Sequence, residues 1–304
     1  FFFKQKTAYE ISTRDWSSDV CSSDLDSGLV ADSIAAQTKT VLANRLAPLN
    51  IFASDFSSDV KIAKDTVQVP LVTAAGSTLT NPTNFEPGGG NTVGKITVTL
   101  DHYFQSFAIT AAELAQGHRL DRLIISNINA LADKIWAVAT TPITVANFGA
   151  ASVTSADLTG TNYANLKALW AALSKSDRKG LVLSPALYSQ LLPTSTNSLP
   201  LSAGAYGFDA GIYYANNFSG EPGMAGFACS PDAVAMAAAA PAIDDAVRSQ
   251  FAISEVVTLD QLGLSVQYNV WGSTSNRQVN ASLELMFGAA KGITSGTMAI
   301  IDIA

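Results

Sequence analysis

Residues 110–140 read TAAELAQGHRLDRLIISNINALADKIWAVAT, and their reading decides the fold. Thr110-Ala111-Ala112-Glu113 has the pattern in which a hydroxyl and a carboxylate three residues apart satisfy each other's backbone N–H groups at a helix start. Leu120, Ile124, Ile128, Leu131, Ile135 and Val138 then recur every three or four residues, the period of one helix face. Arg122, Asn129 and Asp133 occupy the other side. The pattern predicts an amphipathic helix of about eight turns, interrupted near Gly117 and stopped by Pro142. Packing along one stripe, such a helix can act as the spine of a flat domain.

On the N-terminal side, Thr66–Val72 alternates apolar and polar residues, and Lys95–Phe104 does so for longer. These read as two strands of one extended arm. Between them, Thr73–Gly94 holds Gly76, Pro82, Pro87 and Gly88-Gly89-Gly90 and almost no large apolar residue. A loop of that length in a compact domain does more than connect. Further upstream, Asp26–Asn50 carries Leu29, Val30, Ile34, Ala35, Val41, Leu42 and Leu46 at loosely helical spacing, closed by Pro48. It is expected to be an amphipathic arm or helix.

On the C-terminal side, Thr144–Thr161 turns to Ser, Thr, Gly and Ala and reads as a crossing between subdomains. Tyr163, Leu166, Leu169, Trp170 and Leu173 then make a helix face. Leu181-Val182-Leu183 is a buried strand, and Ser184-Pro185 starts a short helix that Pro193 ends. The same device recurs at Ser230-Pro231, after the strand Gly226–Cys229, and predicts an Ala-rich helix closed by Pro241. Phe251–Thr258 is a candidate strand. Leu264, Val266, Tyr268 and Val270 alternate toward a turn at 272–276, and Val279, Ala281, Leu283, Leu285 and Phe287 alternate on the return, which makes a long hairpin. Thr297–Ile303 is a last strand. The whole reads as α+β.

Phe1–Leu25, FFFKQKTAYEISTRDWSSDVCSSDL, resembles the translation of a short-read sequencing adapter. It is therefore expected to stand outside the fold, with Asp26 as the first residue that matters. Cys21 goes with it and leaves Cys229 alone, so no intrachain disulfide or cysteine metal cluster follows. The chain has 18 Lys and Arg against 25 Asp and Glu, a net charge of −7. An acidic chain without a basic block is a poor candidate for gripping phosphate backbones unaided. Charged residues are 14% of the total and hydrophobic ones 48%. A surface so poor in charge suggests cover by partner chains. No apolar run reaches the length that spans a bilayer.

Residues that could carry chemistry are few. Gly89–Ile96, GGNTVGKI, matches the phosphate-binding loop up to its last position. That loop needs Ser or Thr there for magnesium and a helix to follow, whereas Ile96 stands in a strand. The only histidines, His102 and His118, lack metal-type spacing to other ligands. Asp244-Asp245 reads as a helix start or turn, and Cys229 as an inert buried thiol. No G-x-S-x-G elbow occurs. The sequence offers no catalytic, cofactor-binding or metal-ligating residue.

The order of elements resembles that of the major capsid proteins of tailed bacteriophages, with their Hong Kong 97-type fold. Val67–Phe107 stands for the extended loop, Thr110–Thr140 for the spine helix, and Gly263–Tyr268 with Ser282–Ala290 for the closing hairpin and its small-residue segment. The resemblance implies an N-terminal arm at 26–62, an extended loop at 63–109 and a peripheral domain with its spine helix at 110–160. An axial α/β domain at 161–250 and peripheral C-terminal strands at 251–304 complete it. It implies no enzyme, but a structural subunit that assembles in the host bacterial cytoplasm into an icosahedral shell around double-stranded DNA and ends in the virion. The partners are many copies of itself, with scaffolding and portal proteins and weak, summed contact with DNA, and no membrane. Within the extended loop, Phe85, Glu86, Gly89 and Lys95 are the candidate contacts with a neighbouring subunit. Some members cross-link through a lysine near the loop tip; none lies in Thr73–Gly94, so a non-covalent shell is expected. Two alternatives stand beside this: an encapsulin-type compartment shell of the same fold, and an Ala-rich soluble enzyme whose long loop is a lid.

Overall fold

The computed structural model describes residues 22–60, 66–74, 92–110, 113, 117–158, 163–174, 178–192, 205–273, 275–276, 278–294 and 296–302. Its helices are α1 (Ser22–Arg45), α2 (Gly117–Thr140), α3 (Val145–Phe148), α4 (Tyr163–Ala172), α5 (Pro185–Leu191) and α6 (Asp245–Arg248). The first strands are β1 (Ala53–Asp55), β2 (Thr66–Ala74), β3 (Thr92–Thr99) and β4 (Asp101–Ile109). After the helices α2 and α3 come β5 (Val153–Thr154), β6 (Gly180–Leu183), β7 (Gly211–Tyr214), β8 (Met224–Cys229) and β9 (Val234–Ala239). The chain closes with β10 (Ile253–Leu259), β11 (Leu264–Ser273), β12 (Gln278–Lys291) and β13 (Met298–Asp302).

The stripe read from the sequence is the face that packs. Leu120, Ile124, Ile128, Leu131 and Ile135 are buried, Val138 is partly so, and Trp136 and Ala139 widen the stripe. They pack on β12 and share one core with its inward residues Leu283, Leu285 and Phe287 and with Val266 and Val270 of β11. Of the expected eight-turn helix, the described residues show α2, with 24 residues, about 36 Å at 1.5 Å per residue. Before it, Glu113 Oε2 accepts from the Thr110 backbone N–H at 2.7 Å and from its hydroxyl at 2.6 Å, so the reaching-back half of the capping box is present.

A six-stranded sheet runs β1-β9-β12-β11-β10, with β4 on the other side of β12. The fourteen-residue β12 is its centre, pairing antiparallel with β11 at 278–284, with β9 at 286–291 and with β4 at 279–287. A five-stranded sheet runs β5-β13-β8-β6-β7, and β2 and β3 form a separate antiparallel ribbon. Phe52 joins the layers, edge-on to Trp136 of α2 at 5.9 Å and to Phe227 of β8 at 5.2 Å.

Several expectations change. Lys95–Phe104 is not one strand: buried Leu100 separates β3, which pairs with β2, from β4, which pairs with β12. The segment 26–50, read as an amphipathic arm or helix, is largely helix α1, with Val30, Ile34, Leu42 and, in the following turn, Leu46 fully buried in the main core. Helix α1 begins at Ser22, ahead of Asp26. The 144–161 crossing holds α3, β5 and a short 3-10 turn. The Ala-rich run after Ser230-Pro231 is strand β9, not a helix. Alanine favours helices, but here both neighbours β1 and β12 offer ladders, and small side chains let Ala235 and Ala237 pack beneath Val67, Val69 and Val98 of the ribbon. The linear domain division is crossed by both sheets: β1 and β9 lie in the sheet of β10–β12, and β13 lies in the sheet of β6–β8.

Candidate functional site

Among the described residues no group of three His, Cys, Asp or Glu side chains could hold a metal ion, and no helix is long and apolar enough to cross a membrane. Cys229 is fully buried in β8 and its thiol donates to the Gly180 carbonyl at 3.6 Å. Burial pushes its pKa well up, so the thiolate is disfavoured. Asp244 caps α6, accepting from the Ala246 N–H at 2.8 Å, with Asp245 in the first turn. Gly94, Lys95 and Ile96 lie within strand β3, so no helix follows the glycines as a phosphate loop requires. His118 is on α2, and its side chain lies outside the described residues.

The sites to examine are therefore surfaces. Of the four candidate contact residues, Phe85, Glu86 and Gly89 lie outside the described residues. Lys95 is exposed on β3, opposite Pro70. At its base the ribbon has two unlike faces: Val67, Val69 and Val98 are buried, whereas Thr66, Gln68, Lys95 and Thr97 are exposed.

The second surface is the helix-free face of the six-stranded sheet, which sequence reading passed over. Register places Val256, Gln267, Glu284 and Phe104 in one row across four strands, and Ser254, Asn269, Ser282 and Ser106 in the next. Asn269 is fully buried, and Gln267 and Ser282 nearly so. They form a connected chain. Gln267 Nε2 donates to Ser254 Oγ at 3.0 Å, and Ser254 donates to Asn269 Oδ1 at 2.7 Å. Asn269 Nδ2 donates to Glu284 Oε1 at 3.0 Å, and Ser282 donates to the same oxygen at 2.7 Å. The other carboxylate oxygen of Glu284 lies 3.2 Å from His102 Nε2. The signal was present in the sequence: the outward positions Ser265, Gln267, Asn269, Asn280 and Ser282 of β11 and β12 are amides and hydroxyls, with Glu284 the one charge among them. Phe104 flanks the rows at 66% exposure and Val256 at 50%.

The third is a groove of about 590 Å³ between α1, α2 and β7. Arg45 stands on its rim, paired with Asp133 at 2.5 Å, and Tyr188 and Tyr214 stack at 5.3 Å on the far side. No set of polar groups converges in it as a substrate site requires.

No protein-family model matches the sequence, and neither does any curated protein. Solved structures do match. The capsid of an empty GTA particle superposes with a TM-score of 0.50 at 12% identity, over 83% of this chain and 88% of that one. A virus-like particle from Pyrococcus furiosus gives 0.50 at 11%, over 88% and 98%. Microbacterium phage Oxtober96 gives 0.50 at 12%, over 85% and 91%. With its spine helix, its two-stranded ribbon and its two mixed sheets, this chain has the α+β fold of tailed-phage capsid proteins.

Proposed function

We propose that the chain is the major capsid subunit of a tailed bacteriophage, a non-enzymatic structural protein that closes into an icosahedral shell around double-stranded DNA and resides in the virion. The observation that carries this reading is the extent of the fold match: 83–88% of the chain follows capsid and particle-forming proteins whose own chains are covered at 88–98%. The physics of the surface agrees. The ribbon buries its apolar face on β9 of its own chain and leaves Thr66, Gln68, Lys95 and Thr97 exposed, and this polar face, with the segment that bears Phe85, Glu86 and Gly89, lies on another copy. Repeated contacts that close on a symmetry build a shell. Low charge limits the repulsion among many copies. Scaffolding and portal proteins act in its assembly in the host cytoplasm, and contact with DNA is weak and summed.

Electron microscopy and light scattering of the expressed chain, alone and with its upstream codons and scaffold, test this. Closed shells or capsomer rings are expected. A discrete monomer or dimer under every condition overturns it, and a shell that encloses an enzyme instead of DNA assigns the chain to the compartment alternative.

A further inference from the structure

Strand β4 is nine residues long, and among the described residues it has one ladder partner, β12, along one side only. Natural proteins blunt such an edge with proline, lysine, a bulge or shortness. Of the strands that end the two large sheets, β1, β5 and β7 are short, at three, two and four residues, and β10, at seven, is shorter than β4. Strand β4, reading DHYFQSFAI, has no proline, glycine or lysine, and its register with β12 runs unbroken from Asp101 to Ile109.

Beside it, a cavity of about 350 Å³ opens between Tyr103 and Gln105 of β4 and Ala130, Leu131 and Lys134 of α2. Gln105 Nε2 donates to Asn127 Oδ1 at 2.8 Å and holds the strand off the helix there. An added strand would take main-chain hydrogen bonds from the edge and place alternate side chains in that cavity.

The charges select the occupant. At one end of β4, Tyr103 Oη donates to Asp101 at 3.3 Å and Lys134 Nζ lies 5.3 Å from the Tyr103 ring centre. At the other end, Glu113 binds Thr110, and the Arg119 charge helps to hold its carboxyl below the usual range. An antiparallel two-fold lays the first end of one copy on the second end of the other, so Asp101 faces Arg119 of the second copy and Lys134 faces its Glu113. A parallel pairing sets like against like.

Resting on the coat reading above, we infer that β4 is a two-fold seam, pairing antiparallel with β4 of a second copy to make one continuous sheet across two subunits. Full overlap of nine residues puts Gln105 on the axis and Phe104 opposite Ser106 of the second copy. Phe104, the most exposed large apolar side chain among the described residues, is thereby covered. The contact is isologous, and heterologous contacts elsewhere complete the shell.

Two variants test it in the full chain. In assembled particles, mild oxidation of F104C/S106C is expected to give on the order of tenfold more disulfide-linked dimer than the parent chain, because cross-strand partners lie within disulfide reach. Particles that form normally with dimer at the parental level overturn the seam and leave the coat reading intact. Absence of particles from the parent chain overturns both. F104E/S106E crowds four carboxylates into the seam and is expected to leave folded subunits, with parental circular dichroism, that do not close into shells. Shells from that variant at parental yield overturn the seam.

Discussion

Glu221 holds the first N–H of one helix while its own backbone seals the end of another. Its carboxylate accepts from the Val145 N–H at 2.7 Å, at the start of α3, and its N–H donates to the Ile143 carbonyl at 2.8 Å, just past α2. Two residues earlier in that loop, the Ser219 N–H donates to Thr140 Oγ1 at 3.1 Å. Between them Gly220 lies so close that a Cβ would overlap the carbonyl oxygens of Thr140 and Ile143. The β7–β8 connection thus clasps the end of the spine helix.

Glu221→Ala should cost about 1–2 kcal/mol, the usual effect of losing a charged acceptor at a helix start. Gly220→Ala should cost more, since backbone must move. Urea denaturation of both variants checks the order, and an unchanged midpoint for Gly220→Ala would refute the close approach.

Asn269→Ala should destabilise by roughly 1–3 kcal/mol, because Ser254 and Glu284 each lose a buried partner. Asn269→Asp should be worse at neutral pH, since it sets a second carboxylate against Glu284. Thermal melts of the pair, compared with Ser106→Ala on the exposed end of the same row, measure the difference.

Stability should fall on the alkaline side. Burial raises the Cys229 thiol above its ordinary 9.0, and burial followed by the bond to Glu255 raises the Tyr268 phenol above its ordinary 10.0. Each folded group keeps its proton where the unfolded chain has begun to lose it, so stability is intact below the unfolded pKa and drains away as pH rises past 9 and then 10. Denaturation between pH 8 and 11 should show this decline. Cys229→Ala should remove the earlier part and Tyr268→Phe the later.

Purified particles should run as a single monomer band on denaturing gels without reducing agent, since no lysine lies in Thr73–Gly94. A ladder of linked subunits would refute a non-covalent shell.

The β11–β12 hairpin and the spine helix could be read directly because one face of each is apolar and the other largely polar, so period alone identifies them. Leu283, Leu285 and Phe287 needed no knowledge of their partners. Strand β9 could not be read, since VAMAAA carries no period and its state depends on β1 and β12, which lie far off in sequence. The break at Leu100 was hidden because Ile96, Val98, Leu100 and Phe104 keep one alternation in the sequence, whereas burial changes phase after Leu100, from even positions in β3 to odd ones in β4, as the two pair with different strands. The alignment of the polar residues into rows and the bare edge of β4 are properties of register and topology, which no single segment encodes.

Strand β12 also sets a timetable. Segments 101–109, 234–239 and 264–273 all find a ladder on residues 278–291, and for 101–109 it is the one ladder among the described residues, while 234–239 and 264–273 pair also with 53–55 and 253–259. A ribosome must therefore release nearly the whole polypeptide before the large sheet can close, and until then β4, β9 and β11 wait with open edges. Loop closure over such separations is slow and leaves the nascent chain prone to pairing with its neighbours on the same message. A chain made in many copies at once would meet that hazard most severely, and loss of the last thirty residues should abolish the large sheet as a unit instead of trimming it.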